Sequence, residues 1–116
     1  MSLRNPAIGG SWITPTLGSI WAVYGIPFDN PGYRKDSFGI VTLRGWIAYV
    51  SGTNNVIFTL PTGYRPPGLK RFLVSAASNT TISTSMIEVR VNGEVWWGLY
   101  GDYAAIGLDQ ISFATY

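Results

Sequence analysis

Thr81-Ile82-Ser83-Thr84-Ser85-Met86-Ile87-Glu88-Val89-Arg90-Val91-Asn92-Gly93-Glu94-Val95-Trp96-Trp97 has the pattern of a β-hairpin. β-Branched residues recur through positions 81–91, and Asn-Gly is a strong short-range hairpin signal. Two registers are possible. A two-residue type I′ loop pairs Val91 with Glu94 and Arg90 with Val95, which mixes charge and hydrocarbon on both faces. A three-residue loop with Gly93 left-handed pairs Arg90 with Glu94 and Val89 with Val95. This second register keeps each face uniform and sets opposite charges across the strands, so it is the expected one. It puts Trp97 on the Val89 face and Trp96 on the Glu88 face, because successive strand side chains alternate.

Outward from this hairpin the same pattern repeats. Short β-branched and aromatic runs occupy 20–24, 38–50, 56–60, 72–76 and 108–115, separated by turn clusters such as Pro27-Phe28-Asp29-Asn30-Pro31-Gly32 and Ser51-Gly52-Thr53-Asn54-Asn55. Residues 38–50 alternate Val41, Leu43, Ile47 and Tyr49 against Thr42, Arg44, Trp46 and Ala48, and Gly45 between them predicts a bulge or bend. Leu60-Pro61-Thr62-Gly63 fits a type I turn, and Pro66-Pro67-Gly68 holds the chain extended. No dozen-residue stretch carries helical periodicity. The expectation is an all-β, antiparallel β-sandwich of seven to eight strands, jelly-roll-like in its spacing of short strands and turns.

The 116 residues make room for one domain. Five Trp, seven Tyr and five Phe accompany only 12% charged residues, about half the ~25% of an ordinary soluble domain. With 32 Leu, Ile, Val and Phe residues the chain can build a core, and so few charges imply that part of the surface is covered. There is no His and no Cys. That removes disulfides, thiolate and imidazole metal ligands, and Ser–His or Cys–His nucleophile pairs. Eight basic against six acidic residues, scattered as Arg34-Lys35, Lys70-Arg71 and singles, make no phosphate-tracking stripe, so no nucleic-acid partner is expected. No apolar run reaches the ~18 residues of a membrane span, and no membrane insertion is expected. Met1-Ser2-Leu3-Arg4 lacks the apolar region of a signal peptide. Residues 1–11 read as an N-terminal extension, a shaft remnant or a cloning scar, ahead of a domain at 12–116.

Catalytic groups are sparse. Glu88 and Glu94 read as solvated partners of Arg90, and Asp102 with Asp109 is the one carboxylate pair near loops that could face a sugar. Lys35 and Lys70 are the only bases left for a serine, and no motif supports either. No P-loop, dinucleotide fingerprint or calcium loop is present, so no cofactor and no metal site is expected. The unusual segment is Trp96-Trp97-Gly98-Leu99-Tyr100-Gly101-Asp102-Tyr103. Trp96, Trp97, Tyr100, Asp102 and Tyr103 are the candidate saccharide or interface residues: indole and phenol rings stack on sugar faces while a carboxylate takes hydroxyls. Subunit packing is the favoured use, since interfaces select Trp and Tyr anchors. Trp12, Trp21 and Trp46 are expected in a core or an interface, and Asn54-Asn55 and Asn79-Thr80-Thr81 at exposed turns.

Tyr33-Arg34-Lys35-Asp36, Gly39-Ile40-Val41-Thr42-Leu43-Arg44-Gly45, Ile57-Phe58-Thr59-Leu60-Pro61-Thr62-Gly63-Tyr64-Arg65-Pro66-Pro67, the 87–95 hairpin and Leu108-Asp109-Gln110-Ile111-Ser112-Phe113 together resemble the C-terminal head domain of bacteriophage tail-fibre and minor tail proteins. Trp12 and Leu17 also fall where such domains carry a Trp and a Leu. Leu-Pro-x-Gly-Tyr-Arg-Pro is the specific part, and the resemblance spans about residues 12–116. It implies a non-enzymatic receptor-binding head at the distal tip of a virion tail fibre, homotrimeric, joined to the rest of the phage tail and attaching to bacterial surface polysaccharide outside the cell. The matched segments are scaffold, so no binding residue is carried over. A structural tail or baseplate component without receptor binding is the alternative, followed by a free-standing carbohydrate-binding module and, last, a polysaccharide-degrading enzyme.

Overall fold

The computed structural model describes residues 10–50, 52, 55–78, 81–98 and 105–116. Within these the chain is all-β, with ten strands: β1 (Trp21–Val23), β2 (Gly32–Lys35), β3 (Ile40–Arg44), β4 (Trp46–Tyr49), β5 (Val56–Thr59), β6 (Lys70–Ser78), β7 (Thr81–Val89), β8 (Glu94–Trp97), β9 (Ala105–Gly107) and β10 (Ser112–Ala114). They form a seven-stranded sheet ordered β1-β4-β9-β6-β7-β8-β5 and a three-stranded sheet ordered β10-β3-β2. Every pairing is antiparallel. One core lies between the sheets: Val41, Leu43, Tyr33 and Phe113 from the smaller sheet meet Ile47, Val74, Ile87, Val89, Val95, Trp97 and Ile106 from the larger. Inward residues alternate with outward ones along most strands, and a bulge in β5 puts Ile57 and Phe58 both in the core.

The extra strands have plain causes. Residues 38–50 are two strands in different sheets, split at Gly45. Gly45 sits at φ +99°, and a Cβ there would lie 2.6 Å from the backbone of Asn30 and Pro31. Only glycine turns this corner. β2 and β9 carry no long β-branched run; pairing partners supplied by the fold make them strands, Tyr33 opposite Leu43 and Ile106 opposite Ile47.

The chain passes between the sheets three times: after β1, at Gly45, and at Leu108–Ile111, where the Ile111 amide donates to Leu108 O. The last two crossovers are tied together. Leu108 N donates to Gly45 O at 2.8 Å, Gly45 N to Asp109 Oδ1 at 2.8 Å, and Leu43 N to Ile111 O at 3.0 Å.

The hairpin takes the three-residue loop. Arg90 N donates to Glu94 O at 2.9 Å, Gly93 is left-handed at φ +93°, and Val89 faces Val95. The turn after β5 is shifted by one residue from the sequence expectation: Tyr64 N donates to Pro61 O, which places left-handed Gly63 third in the turn.

Tyr33 adds a pH dependence. Its ring stacks with Phe58 at 6.0 Å and meets Tyr64 edge-on at 5.4 Å. Burial, and secondarily the neighbouring Tyr64 phenol, raise its pKa above the usual 10.0. The unfolded chain therefore releases this proton first. The contribution is intact below the unfolded pKa and is lost as pH climbs through the folded one. Denaturant unfolding of Tyr33→Phe is expected to lose less stability above that pH than the unaltered chain; parallel curves would contradict this origin.

Candidate functional site

The sequence candidates separate. Trp97 is core: it is 5% exposed, its Nε1 donates to Ser85 Oγ at 2.7 Å, and it meets Trp21 edge-on at 5.5 Å and Tyr49 at 5.8 Å. Its strand parity, inward with Val95 and opposite Ile87, dictates this. Trp96, on the other face, is half-buried beneath Arg90, whose guanidinium carbon lies 4.1 Å from the ring centre. Tyr100, Asp102 and Tyr103 lie outside the described residues, as do Asn54, Asn79 and Thr80.

Glu88 is not solvated as the sequence suggested. It is 6% exposed and bridges Arg71 Nε at 3.0 Å and Arg90 at 3.2 Å, with Arg90 reaching Glu94 at 3.8 Å. Trp96 and Met86 flank it on the outer sheet face, so the long side chains cover the carboxylate. This knot satisfies its own charges and leaves the indole covered by a cation. Asn55 is likewise buried rather than exposed; its Nδ2 donates to Trp97 O at 2.7 Å. Trp21 joins the core, whereas Trp12 and Trp46 remain at the surface.

A second aromatic group joins the 24–30 loop to the start of β4. Trp46 follows the Gly45 corner, so its side chain stands on the outer face of the larger sheet, opposite Gly107. A Cβ on Gly107 would lie 2.8 Å from the indole, so the missing side chain makes the seat on which Trp46 lies. Phe28 stacks on Trp46 at 4.7 Å and 28°, and Tyr24 tilts against both at 5.5 and 6.3 Å. The 24–30 loop is held there by three backbone bonds: Tyr24 N to Trp46 O, Trp46 N to Asp29 O and Phe28 N to Gly25 O. Phe28 is nevertheless 38% exposed, and Tyr24 and Ile26 are exposed beside it.

Polar groups border the same rings. A cleft of about 100 Å³ is lined by Trp46, Ser75, Gly107, Asp109 and Gln110. Asp109 spends Oδ1 on the Gly45 amide, which fixes its carboxylate at the corner. Gln110 is exposed next to it. Fixed aromatic faces beside a positioned carboxylate and amide can stack on the C–H faces of a pyranose and take its hydroxyls. Residues 24, 28, 46 and 109 are brought together only by the corner, which is why sequence reasoning settled on 96–103. The available signal was Phe28 inside a Pro/Asn/Gly turn cluster, an aromatic where turn chemistry needs none.

Lys35 Nζ donates to Gly63 O at 2.7 Å and lies over Tyr64, and Lys70 is exposed at the start of β6. Among the described residues no group of three or more Asp and Glu could hold a metal ion, and no helix is long and apolar enough to cross a membrane. A wider groove of about 530 Å³ runs between residues 14–18 and β5, but its one cation, Arg65, is bound to Leu60 O at 2.8 Å.

No family model and no curated protein matches the chain. Among solved structures, the fold is similar to that of the receptor binding protein (gp15) of Listeria phage PSA, with a TM-score of 0.76 at 20% identity, over 91% of this chain and 65% of that one. The chain therefore spans 65% of the length of that protein.

Proposed function

We propose that the chain is a non-enzymatic receptor-binding head of a phage or prophage tail fibre, carried at the distal tip of the virion and attaching as a homotrimer to saccharide on the host surface. What carries the reading is an exposed aromatic platform, Tyr24, Phe28 and Trp46 with Asp109 and Gln110 beside it, on a fold shared with a phage receptor binding protein. Residues 12–116 would be the head, and the sequence resemblance to tail-fibre head domains supports the same reading. Trp96, capped by Arg90, fits packing better than stacking on a sugar.

Trimerisation suits both the composition and the surface. The outer face of β6 and β7 presents Leu73 at 70% exposure and Ile82 at 83%, with Met86 and Ala77 opposite them and no charge until Arg71 and Glu88 at its far end. Such an uncharged face is where chains would meet around the axis. Three weak sugar sites acting together gain about 10²–10⁴ in avidity when geometry allows simultaneous binding.

Light scattering on the purified chain is expected to give three times the monomer mass, and Leu73→Lys with Ile82→Lys to reduce it to one. The labelled trimer is expected to adsorb to at least one member of a panel of bacterial strains and to the polysaccharide extracted from it. A monomer that adsorbs to none would overturn the reading; a trimer that adsorbs to none would favour a structural tail component.

A further inference from the structure

We propose that the outer face of the three-stranded sheet, where Arg34 and Arg44 lie over Trp12, is an oxyanion site for phosphate or carboxylate groups borne by a bacterial surface polymer. The oxyanion site stands on its own geometry; its use on a surface polymer rests on the receptor-binding reading.

The cations of the chain are unevenly paired. Among the described residues Arg71 and Arg90 pair with Glu88, while Lys35 and Arg65 donate to backbone carbonyls. Arg34 and Arg44 do neither. Their guanidinium carbons lie 4.4 and 4.3 Å from the centre of the same indole, Trp12. Arg44 Nε is fully buried and has no hydrogen-bond partner among the described residues. A buried charged donor left unmade is costly, and two like charges beside one ring repel each other. An anion bound at the two guanidiniums would relieve the repulsion between them, and a planar guanidinium fork suits a two-oxygen acceptor.

Strand geometry builds the rest. Arg34 faces Thr42 across the β2–β3 ladder, and Thr42 faces Ser112 on β10, so a guanidinium and two hydroxyls form one row. Arg44 stands in the next outward position of β3, opposite Gly32. Gly32 leaves the space that Trp12 and Arg44 fill: a Cβ there would touch Trp12 Cε3 and Arg44 Nε at 3.5 Å each. The nearest acid along β2, Asp36, is turned onto the amides of Phe38 and Ile40 at 2.9 and 3.0 Å. The face thus offers donors without a competing carboxylate among the described residues.

The test titrates ¹⁵N-labelled protein with glycerol 3-phosphate, galacturonate and neutral glycerol. Glycerol 3-phosphate or galacturonate is expected to shift the Trp12 indole and the Arg34 and Arg44 Nε resonances saturably, and less as NaCl is raised; glycerol is expected to leave them in place. A response to phosphate alone assigns a phosphodiester polymer, and a response to galacturonate an acidic sugar. Arg34→Gln and Arg44→Gln should each weaken binding roughly tenfold or more, while Arg71→Gln, on the other sheet, should not. A dispersed spectrum certifies each variant as folded, and Arg34→Gln suffices if the more buried Arg44 cannot be replaced. No shift with either anion, equal shifts with glycerol, or full affinity in Arg34→Gln overturns the site. If the titration fails while the protein adsorbs to bacteria, this inference falls and the receptor-binding reading stands. If oxyanions bind but no bacterial surface is recognised, the site stands and its assignment to a surface polymer falls.

Discussion

Phe28→Ala is expected to abolish adsorption to any bacterial surface that the unaltered chain binds, while the protein stays folded. Phe28 is an exposed ring in a loop, stacked on Trp46 at 4.7 Å, and it is outside the buried core cluster. Its removal strips one wall of the platform and little else. Truncating an aromatic anchor in a binding site commonly costs about 2 kcal/mol or more, roughly a thirtyfold loss. In a trimer the loss recurs at every site, so the avidity of about 10²–10⁴ collapses with it. Trp46→Ala is a poorer test, because that indole also covers Gly107. Asp109→Asn is the complementary variant: the amide oxygen can still accept from Gly45 N, so a fall in adsorption reports the lost carboxylate charge rather than a broken corner. The measurement is adsorption of labelled protein to cells and to polysaccharide extracted from them. Unchanged adsorption by a Tyr24→Ala, Phe28→Ala double variant with native light scattering would remove the platform from the reading.

Gly45→Ala is expected to cost more stability than any single surface change. At φ +99° an L-residue is strained by about 1–2 kcal/mol, and the added Cβ would press on the Asn30 and Pro31 backbone at 2.6 Å, which cannot swing aside as a side-chain tip would. The adjoining bonds multiply the damage. Gly45 N and O hold Asp109 and Leu108, so displacing this residue loosens two of the three crossovers between the sheets. A total near about 3–4 kcal/mol is expected, enough to lower the melting temperature by more than about 10 °C in a domain of this size. Thermal unfolding followed by circular dichroism measures it. Gly68→Ala is the control, since a Cβ there meets nothing within 4 Å. Equal melting temperatures for the two variants would mean that the corner is not a point of stress.

The same corner separates what the sequence carries from what it does not. Alternation along 38–50 names the buried residues correctly on both sides of Gly45, and a glycine inside an apolar run marks an interruption. Whether that interruption is a bulge within one sheet or a change of sheet depends on where Asn30, Pro31 and Asp109 arrive, and these lie 14 to 64 positions away in the chain. The hairpin was legible in full because its determinants are local: Asn-Gly, the face alternation and the Arg90–Glu94 pair all lie within a few residues of the turn.

Sequence by itself thus determined the all-β class, the face alternation along residues 38–50, the hairpin register and the placing of Trp97 and Trp96 on opposite faces. Each follows from the two-residue period of a strand and from turn stereochemistry, which act over a handful of residues. The many aromatics are equally plain in the composition. Tertiary structure alone decided how those aromatics are shared out: Trp97 to the core, Trp96 beneath Arg90, Trp12 to two unpaired guanidiniums, and Trp46 to an open platform with Phe28. That division rests on contacts between distant segments, Trp46 on Gly107 and Phe28 on Trp46, which the order of residues along the chain does not encode in any local pattern.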